Sequence, residues 1–435
     1  STNVVIGDHG RLVYSKSENS PQNNMHLLAL IETTKAGVDE SGTASDDVIN
    51  LASGNAIVVG GAGRDRVTIA AAASTANTQR MVIGGHGRIE FDAFGRMIRL
   101  ISTDTSATQD SDDTVTIGAG RSAESGSFGN NIVVTGMGND TILIGGGNLI
   151  NGLNSGRGIS TDIVIADNGE IVRSAPSEAE LNQLLVVRSI LNDLGGSDTI
   201  ATGSGDKTLI GGMGADQITA FNGDHFVFGD SGSMNYDSAA ENGVLRSLVS
   251  EGLVFGGDDL ITLGDGFKMV VGGFGSDSVR VNATRDATSS NDKQRGRFAR
   301  FLLGDAATVT FDVVGGVQTV MSADVIAATA GDDTITVGVI DSTADLGRNM
   351  IVGGLGADRI TVQPGAYSID TVVGDNALIE MKAQSYGIET LTTLNDEKGD
   401  ADTISLGRGV KTIIGGFGAD NINLATAAGT DGKLN

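Results

Sequence analysis

Aspartates recur in pairs through this 435-residue chain, and their carboxyl groups could bind a metal cation. In each pair the first aspartate precedes a short aliphatic strand, and the second ends a glycine-rich turn. The twelve candidate ligands are Asp47 with Asp65, Asp113 with Asp140, Asp198 with Asp216, Asp259 with Asp277, Asp333 with Asp358, and Asp402 with Asp420. Carboxylates are hard oxygen ligands, and the formal charge of −25 favours cations as partners.

The turns that carry the second aspartate share one pattern. Five have the form Gly-Gly-x-Gly-x-Asp, as in 211–216, and the turn at 135–140 has Thr in place of the first Gly. In four pairs the two aspartates are 18 residues apart; in the other two the separations are 27 and 25, which requires a looped-out insertion. Glycine permits backbone conformations in which carbonyl oxygens can turn towards an ion.

This pattern resembles the nonapeptide Gly-Gly-x-Gly-x-Asp-x-aliphatic-x of the RTX, or hemolysin-type calcium-binding, repeat proteins of bacterial cell exteriors. The resemblance covers about a third of the chain. It implies a β-roll in which two nonapeptides complete one coil, so that aspartates 18 residues apart stack and share Ca²⁺ with glycine carbonyls. It also implies export as an unfolded chain that folds in external calcium.

The aspartates have an ordinary alternative role. Asp in a tight turn often accepts hydrogen bonds from nearby backbone N–H groups without any metal. For a second set of turns, of the Gly7-Asp8 type, this capping role is the favoured interpretation.

One position departs from the resemblance. Nine residues after the first aspartate, where the family has another Asp, this chain has Ala56, Lys207, Lys268 and Lys411. We hypothesise that the three lysines replace a calcium row, their ammonium groups meeting carboxylates or turn carbonyls of a neighbouring coil. Solvated surface lysines are the alternative, because exposed ion pairs contribute little.

The repetition itself predicts the fold. Units that begin near Asp47, Asp113, Asp198, Asp259, Asp333 and Asp402 recur with a mean period of 71 residues, and fixed-period repeats are typical of solenoids. We expect one continuous, elongated, right-handed parallel β-solenoid over 1–435, with about six strands per unit. A partial half-repeat (1–45) precedes the first unit, and a tail (425–435) follows the last. A capping box at 177–180 predicts one helical insertion over 178–191.

Several functional classes are excluded or disfavoured. A chain of charge −25 is a poor partner for nucleic acid. The chain also has no run of about 18 apolar residues, which is the length needed to span a membrane. The chain has no cysteine, four scattered histidines and no nucleophile motif, and its acids recur with the repeat instead of forming one cluster. We therefore expect no enzyme activity.

The remaining expectation is a bacterial structural protein, extracellular or on the cell surface. It would form a calcium-stabilised rod, filament or surface layer through head-to-tail stacking of copies. The alternatives are an adhesin or ligand-binding segment of a giant secreted RTX-like protein, and an accessory module of an extracellular enzyme that acts on polysaccharides. Asn282, in an Asn-Ala-Thr sequon, is the candidate site for a glycan.

Overall fold

The computed structural model describes residues 2–16, 26–34, 45–71, 78–105, 112–119, 126–145, 158–175, 182–237, 243–252, 256–283, 298–322, 331–339, 345–363, 367–382, 387–395 and 398–425. Within these ranges every regular element is a β-strand, and the strands form three sheets of twelve.

The inner sheet is parallel throughout. In spatial order its strands are β1 (Thr2–Ile6), β5 (Asn55–Val59), β7 (Gln79–Ile83), β11 (Gly126–Val134), β13 (Gly158–Ile165), β17 (Lys207–Gly212), β19 (His225–Asp230), β23 (Lys268–Gly273), β25 (Arg300–Asp305), β29 (Asp345–Val352), β31 (Tyr367–Val373) and β35 (Arg408–Ile414).

The outer sheet is also parallel. Its strands are β4 (Val48–Leu51), β6 (Arg66–Ala70), β10 (Thr114–Ala119), β12 (Thr141–Ile144), β16 (Thr199–Thr202), β18 (Gln217–Ala220), β22 (Leu260–Leu263), β24 (Ser278–Ala283), β28 (Thr334–Val339), β30 (Arg359–Val362), β34 (Thr403–Leu406) and β36 (Asn421–Leu424).

The third sheet, here called the hairpin sheet, is antiparallel. Its strands are β2 (Gly10–Lys16), β3 (His26–Thr33), β8 (Gly87–Phe91), β9 (Met97–Ser102), β14 (Gly169–Arg173), β15 (Leu184–Ser189), β20 (Gly232–Asp237), β21 (Val244–Ser250), β26 (Ala307–Phe311), β27 (Val317–Ser322), β32 (Ala377–Met381) and β33 (Ile388–Thr393).

The chain visits the sheets in a fixed order. β1 lies in the inner sheet, β2 and β3 form a hairpin, β4 lies in the outer sheet, β5 returns to the inner sheet and β6 to the outer sheet. The next six strands repeat this order, as do all later groups of six. One inner and one outer strand therefore make a coil, and every second coil carries a hairpin between them.

The inner sheet is the middle of three layers. Val58 and its equivalents pack against the outer sheet, while the next residue along, Val59, packs against the hairpin sheet. Because both faces are buried, inner strands are continuously apolar, as in Ile57–Val59. Outer strands alternate instead, since only one face meets the core: Ile335 and Val337 are buried between Thr334 and Thr336.

Two expectations about the fold are corrected. The all-β solenoid architecture is present, but strands are parallel only in the inner and outer sheets, because each hairpin reverses the chain within one coil. The predicted helix over 178–191 is wrong where it is described. Leu184–Ser189 is a strand that pairs with β14 of its own hairpin and with β20 of the next hairpin, and backbone pairing and burial outweigh a local capping pattern. Residues 178–181 lie outside the described ranges.

Ten of the twelve coils have a glycine at the corner that close packing fixes, and Thr135 and Ala166 occupy the equivalent position on the other two. A Cβ added to Gly211 would lie 2.1 Å from the carbonyl oxygen of Gly229 and 2.2 Å from Oδ2 of Asp216. A Cβ on Gly338, in β28, would meet nothing closer than Gln363 Oε1 at 3.5 Å.

We predict that Gly211→Ala lowers the free energy of unfolding by at least about 3 kcal/mol, because backbone on the next coil must move. Gly338→Ala is the matched control and should change it by less than about 1 kcal/mol. Urea unfolding of both variants measures the difference. Equal effects would show that the corner is not closely packed.

Candidate functional site

All twelve predicted aspartates lie in one row at the corner where inner strands turn into outer strands. Each backbone N–H donates to the carboxyl Oδ1 of the aspartate on the next coil. Asp47 N–H donates to Asp65 Oδ1 at 2.8 Å, and Asp65 N–H donates to Asp113 Oδ1 at 2.7 Å. The chain of bonds continues without interruption through Asp140, Asp198, Asp216, Asp259, Asp277, Asp333, Asp358, Asp402 and Asp420. We call this row the aspartate ladder.

The second carboxyl oxygen of the ladder faces the glycine turns. Oδ2 is buried and has no hydrogen-bond donor in Asp47, Asp65, Asp113, Asp198, Asp216, Asp259, Asp277, Asp358 and Asp402. At Gly60 a Cβ would lie 2.3 Å from Asp65 Oδ2 and 2.0 Å from the carbonyl oxygen of Gly84. Two acceptor oxygens therefore crowd the same side of one glycine. A proton or a cation at this position would offset the burial of acceptor oxygens that have no donor.

Burial raises the pKa values of these acids. Desolvation, with a smaller contribution from the Asp259 carboxyl, raises the pKa of Asp216 to about 10. Desolvation and neighbouring carboxyls raise the pKa of Asp65 to about 8 and that of Asp113 to about 10. Without a cation, part of the ladder is therefore protonated near neutral pH.

The oxygen donors are of the type that calcium prefers. The residues that would hold it are the ladder aspartates through Oδ2, together with the carbonyl groups of glycines such as Gly84 and Gly229. The carboxyls are spread along a row: no group of three or more acidic, histidine or cysteine side chains forms a metal cluster in the described part of the chain. A cation here would depend on backbone carbonyls for most of its ligands.

The second set of turn aspartates caps neighbouring coils, in agreement with the favoured interpretation. Asp8 Oδ2 accepts the N–H of Ala62 at 2.7 Å, and Asp167 Oδ2 accepts that of Met213 at 2.5 Å. Asp230, Asp305 and Asp375 do the same for the turn residues Phe274, Leu355 and Phe417. Each of these carboxyls binds the third residue of a glycine turn on a different coil.

A second polar row lies at the opposite corner, where outer strands turn back into inner strands. Paired positions on successive inner strands hold Asn3, Ala56, Arg80, Asn131, Asp162, Lys207, His225, Lys268, Arg300, Asn349, Asp370 and Lys411. From Arg80 to Asp370 every member is at most 2% exposed. We call this row the basic column.

The basic column contains one four-residue network twice. Arg80 Nη1 donates to Asn131 Oδ1, Asn131 Nδ2 donates to Asp162 Oδ1, and the Lys207 ammonium lies 3.0 Å from Asp162 Oδ2. Arg300, Asn349, Asp370 and Lys411 repeat these contacts in the same order. The repeat after six strands indicates that the solenoid consists of two similar halves.

The three lysines make the hypothesised contacts with turn carbonyls and carboxyls. Lys207 Nζ donates to the carbonyl oxygens of Ser160 and Ser204 at 2.5 and 2.9 Å. Lys268 Nζ donates to the Gly223 and Asp265 carbonyls, and burial together with Arg300 lowers its pKa to about 7. Lys411 Nζ donates to Ser368 and lies 2.6 Å from Asp370 Oδ2.

Sequence reasoning missed the other members of the basic column. Arg80, Asn131, Asp162 and His225 share neither a residue type nor a fixed spacing from the motif, so no pattern marked them. His225 is held neutral: burial and the adjacent lysines lower its pKa to about 2, so Nε2–H donates to the Gly205 carbonyl at 3.2 Å.

Two further expectations concern a glycan at Asn282 and membrane insertion. Asn282 lies in strand β24 and not in a loop, and its Oδ1 accepts a hydrogen bond from Arg280 Nε at 2.8 Å. Its glycosylation stays a prediction. In the described ranges no helix is long and apolar enough to cross a membrane.

No protein-family model, curated protein or solved structure matches this chain.

We predict that Lys207→Met lowers the free energy of unfolding by about 3 to 5 kcal/mol, because the buried Asp162 carboxylate loses its counter-charge. Lys382→Met, at an exposed position, is the control and should stay within about 0.5 kcal/mol. Chemical denaturation compares them. An unchanged unfolding midpoint for Lys207→Met would mean that the ion pair contributes nothing.

In EDTA, we predict that the melting temperature falls as pH rises from about 4 towards 8 to 10. The folded pKa values lie above the ordinary 3.8, so the folded chain holds protons that the unfolded chain releases in this range. Differential scanning calorimetry across pH measures this effect.

Asp216→Asn is the control for the pH series. The amide oxygen still accepts the Asp198 N–H, while the titrating group is gone, so the decline with pH should be shallower. A melting temperature that stays constant or rises over the range would contradict protonation of the ladder.

Proposed function

We propose that this protein is an extracellular structural rod that extends by head-to-tail stacking and is stabilised by a cation, with calcium as the candidate. The observation that carries the proposal is the aspartate ladder, which runs through all twelve described coils with one repeated hydrogen bond. A device that recurs in every coil serves the whole rod, whereas catalysis requires a unique cluster.

The two end coils of the described solenoid offer complementary hydrogen-bonding groups. Asp47 is the first ladder member, and no described N–H donates to its Oδ1. Asp420 is the last, and no described carboxyl accepts its N–H. Stacking a second copy would extend the ladder from Asp420 to Asp47 with the bond already made eleven times within the chain.

Backbone edges and apolar surface support the same proposal. β1 and β35 are the edge strands of the inner sheet, and each leaves one side unpaired among the described strands. Near the β35 end Val410 is 59% exposed and Phe417 is 49% exposed. The turn residues equivalent to Phe417, such as Met137 and Leu355, are only 2% exposed. Open strand edges with apolar side chains favour association, and a head-to-tail contact that does not close yields a filament.

Calcium would act on the ladder by neutralising it. Calcium bound to Oδ2 atoms and glycine carbonyls would replace the protons that the acids otherwise need, so the rod would be stable near neutral pH in a calcium-rich exterior. The acidic composition and the RTX-like turns support a location outside a bacterial cell. A ligand-binding segment of an adhesin is the second candidate function, and the cavity lined by Arg96 and Arg173 favours it.

The test combines electron microscopy and sedimentation of the purified chain. We expect filaments in millimolar calcium at pH 7.5, and shorter rods or monomers in EDTA with a lower melting temperature. Val410→Lys places a charge on the exposed edge strand and should abolish filaments without lowering the melting temperature.

Thr336→Lys, on the outer face of β28 in the interior of the rod, is the matched control and should form normal filaments. Monomers at every calcium concentration would contradict head-to-tail stacking. An EDTA-insensitive melting temperature would contradict the cation and leave a ladder held by protons.

A further inference from the structure

The two halves of the solenoid differ in the side chains that lie between the inner sheet and the hairpin sheet. In the first half a cavity of about 400 Å³ lies beneath the hairpin turn that contains Gly95 and Arg96. In the second half a cavity of about 240 Å³ lies beneath the equivalent turn at Gly315 and Gly316. The two turns make the same hydrogen bonds: the Arg96 and Gly316 amides donate to Asp92 and Asp312 respectively.

The lining of the two cavities differs in chemistry. Arg173 lines the first cavity, and Met381, at the same place on β32, lines the second. Arg96 is likewise replaced by Gly316. The second cavity is walled by phenylalanine rings in tilted contact, with centroids 5.3 to 6.2 Å apart: Phe226, Phe267, Phe298 and Phe301. The first cavity is therefore cationic where its counterpart is aromatic.

Arg173 carries a charge that no described side chain balances. It is partly buried, and its Nη1 donates to the carbonyl oxygen of Asn182 at 3.2 Å, but no described carboxylate forms an ion pair with it. Burial lowers its pKa from the ordinary value. Partly buried guanidinium groups are normally paired, and a carboxylate is the partner whose geometry fits the fork of donors.

The floor of the cavity offers hydrogen bonds as well. Gln79, Asn130 and Thr161 occupy neighbouring positions on β7, β11 and β13, one strand apart, and all three are exposed at the cavity. Amide and hydroxyl groups both donate and accept, so this row matches a ligand with several hydroxyls. Met81 and Met97 add an apolar wall.

We propose that this cavity binds a small hydroxylated carboxylate of the sugar-acid class, with Arg173 on the carboxylate and the row Gln79, Asn130 and Thr161 on the hydroxyls. The volume suits one sugar ring and is at the small end of ligand sites. The site does not depend on the aspartate ladder or on stacking, so it stands or falls separately from the structural role.

Calorimetric titration with D-galacturonate and D-galactose tests the proposal, because these probes differ in having a carboxylate or a hydroxymethyl group. We expect saturable galacturonate binding at millimolar concentration or better, and none for galactose. Arg173→Met, which installs the residue of the second half, should weaken galacturonate binding at least tenfold. Arg359→Met removes an exposed arginine from the outer sheet and should bind as the unaltered chain does.

A second variant guards against misfolding of Arg173→Met. Thr161→Ile changes an exposed side chain on the cavity floor and should also weaken binding at least tenfold while keeping the melting temperature. Absence of galacturonate binding to the unaltered chain would overturn the proposal. So would equal affinity for galactose, or full affinity in both cavity variants.

Discussion

Close packing of a carboxyl against a glycine, at ten of the twelve coil corners, is the contact on which the rest of the structure depends. The Asp216 carboxyl accepts the Asp198 amide through Oδ1 and presses Oδ2 against Gly211. The hydrogen bond through Oδ1 fixes the distance between coils. The packing of Oδ2 against Gly211 fixes how closely the inner strand approaches the outer strand. A side chain at Gly211 would meet this carboxyl and the Gly229 carbonyl oxygen, so the glycine there is a packing requirement before it is part of a ligand set; Thr135 and Ala166 occupy the equivalent positions on two other coils.

The interior between the inner and outer sheets is apolar at its centre and polar at both corners, with opposite signs. Acids form one corner and a mainly basic column forms the other, with the valine and isoleucine core between them. The basic column is internally paired, since the Asp162 and Asp370 carboxyls each lie beside a lysine ammonium. Ladder acids such as Asp65 and Asp216 lie close to other carboxyls instead. The two corners therefore differ in electrostatics: burial and neighbouring carboxyls raise the pKa of ladder acids such as Asp216, while burial and Arg300 lower the pKa of Lys268 in the basic column.

The sequence predicted the parts of the fold that repeat with the motif. The stacking of the twelve aspartates and the solenoid architecture follow from spacing, because residues at equal positions of a repeat must lie in one row. Lys207 and its equivalents could be found for the same reason. The direction of the hairpin strands could not, since alternating residues such as those of Leu378–Met381 are compatible with parallel or antiparallel pairing. The capping box near residue 178 failed because tertiary pairing of Leu184–Ser189 outweighs a local signal.

Function in a repeat protein is expected where the repeat is broken, because the unbroken part already serves the fold. In this protein the four-residue network of the basic column is the same in both halves, whereas the cavities under the hairpin turns differ. Both halves keep the order Arg, Asn, Asp, Lys inside the core, where a change would leave a buried charge unpaired. At the cavity, which is open to solvent, the same framework holds Arg173 in one half and Met381 in the other. The two halves therefore share the internal framework and differ at the accessible cavities, which is why the ligand proposal rests on a cavity and not on the core.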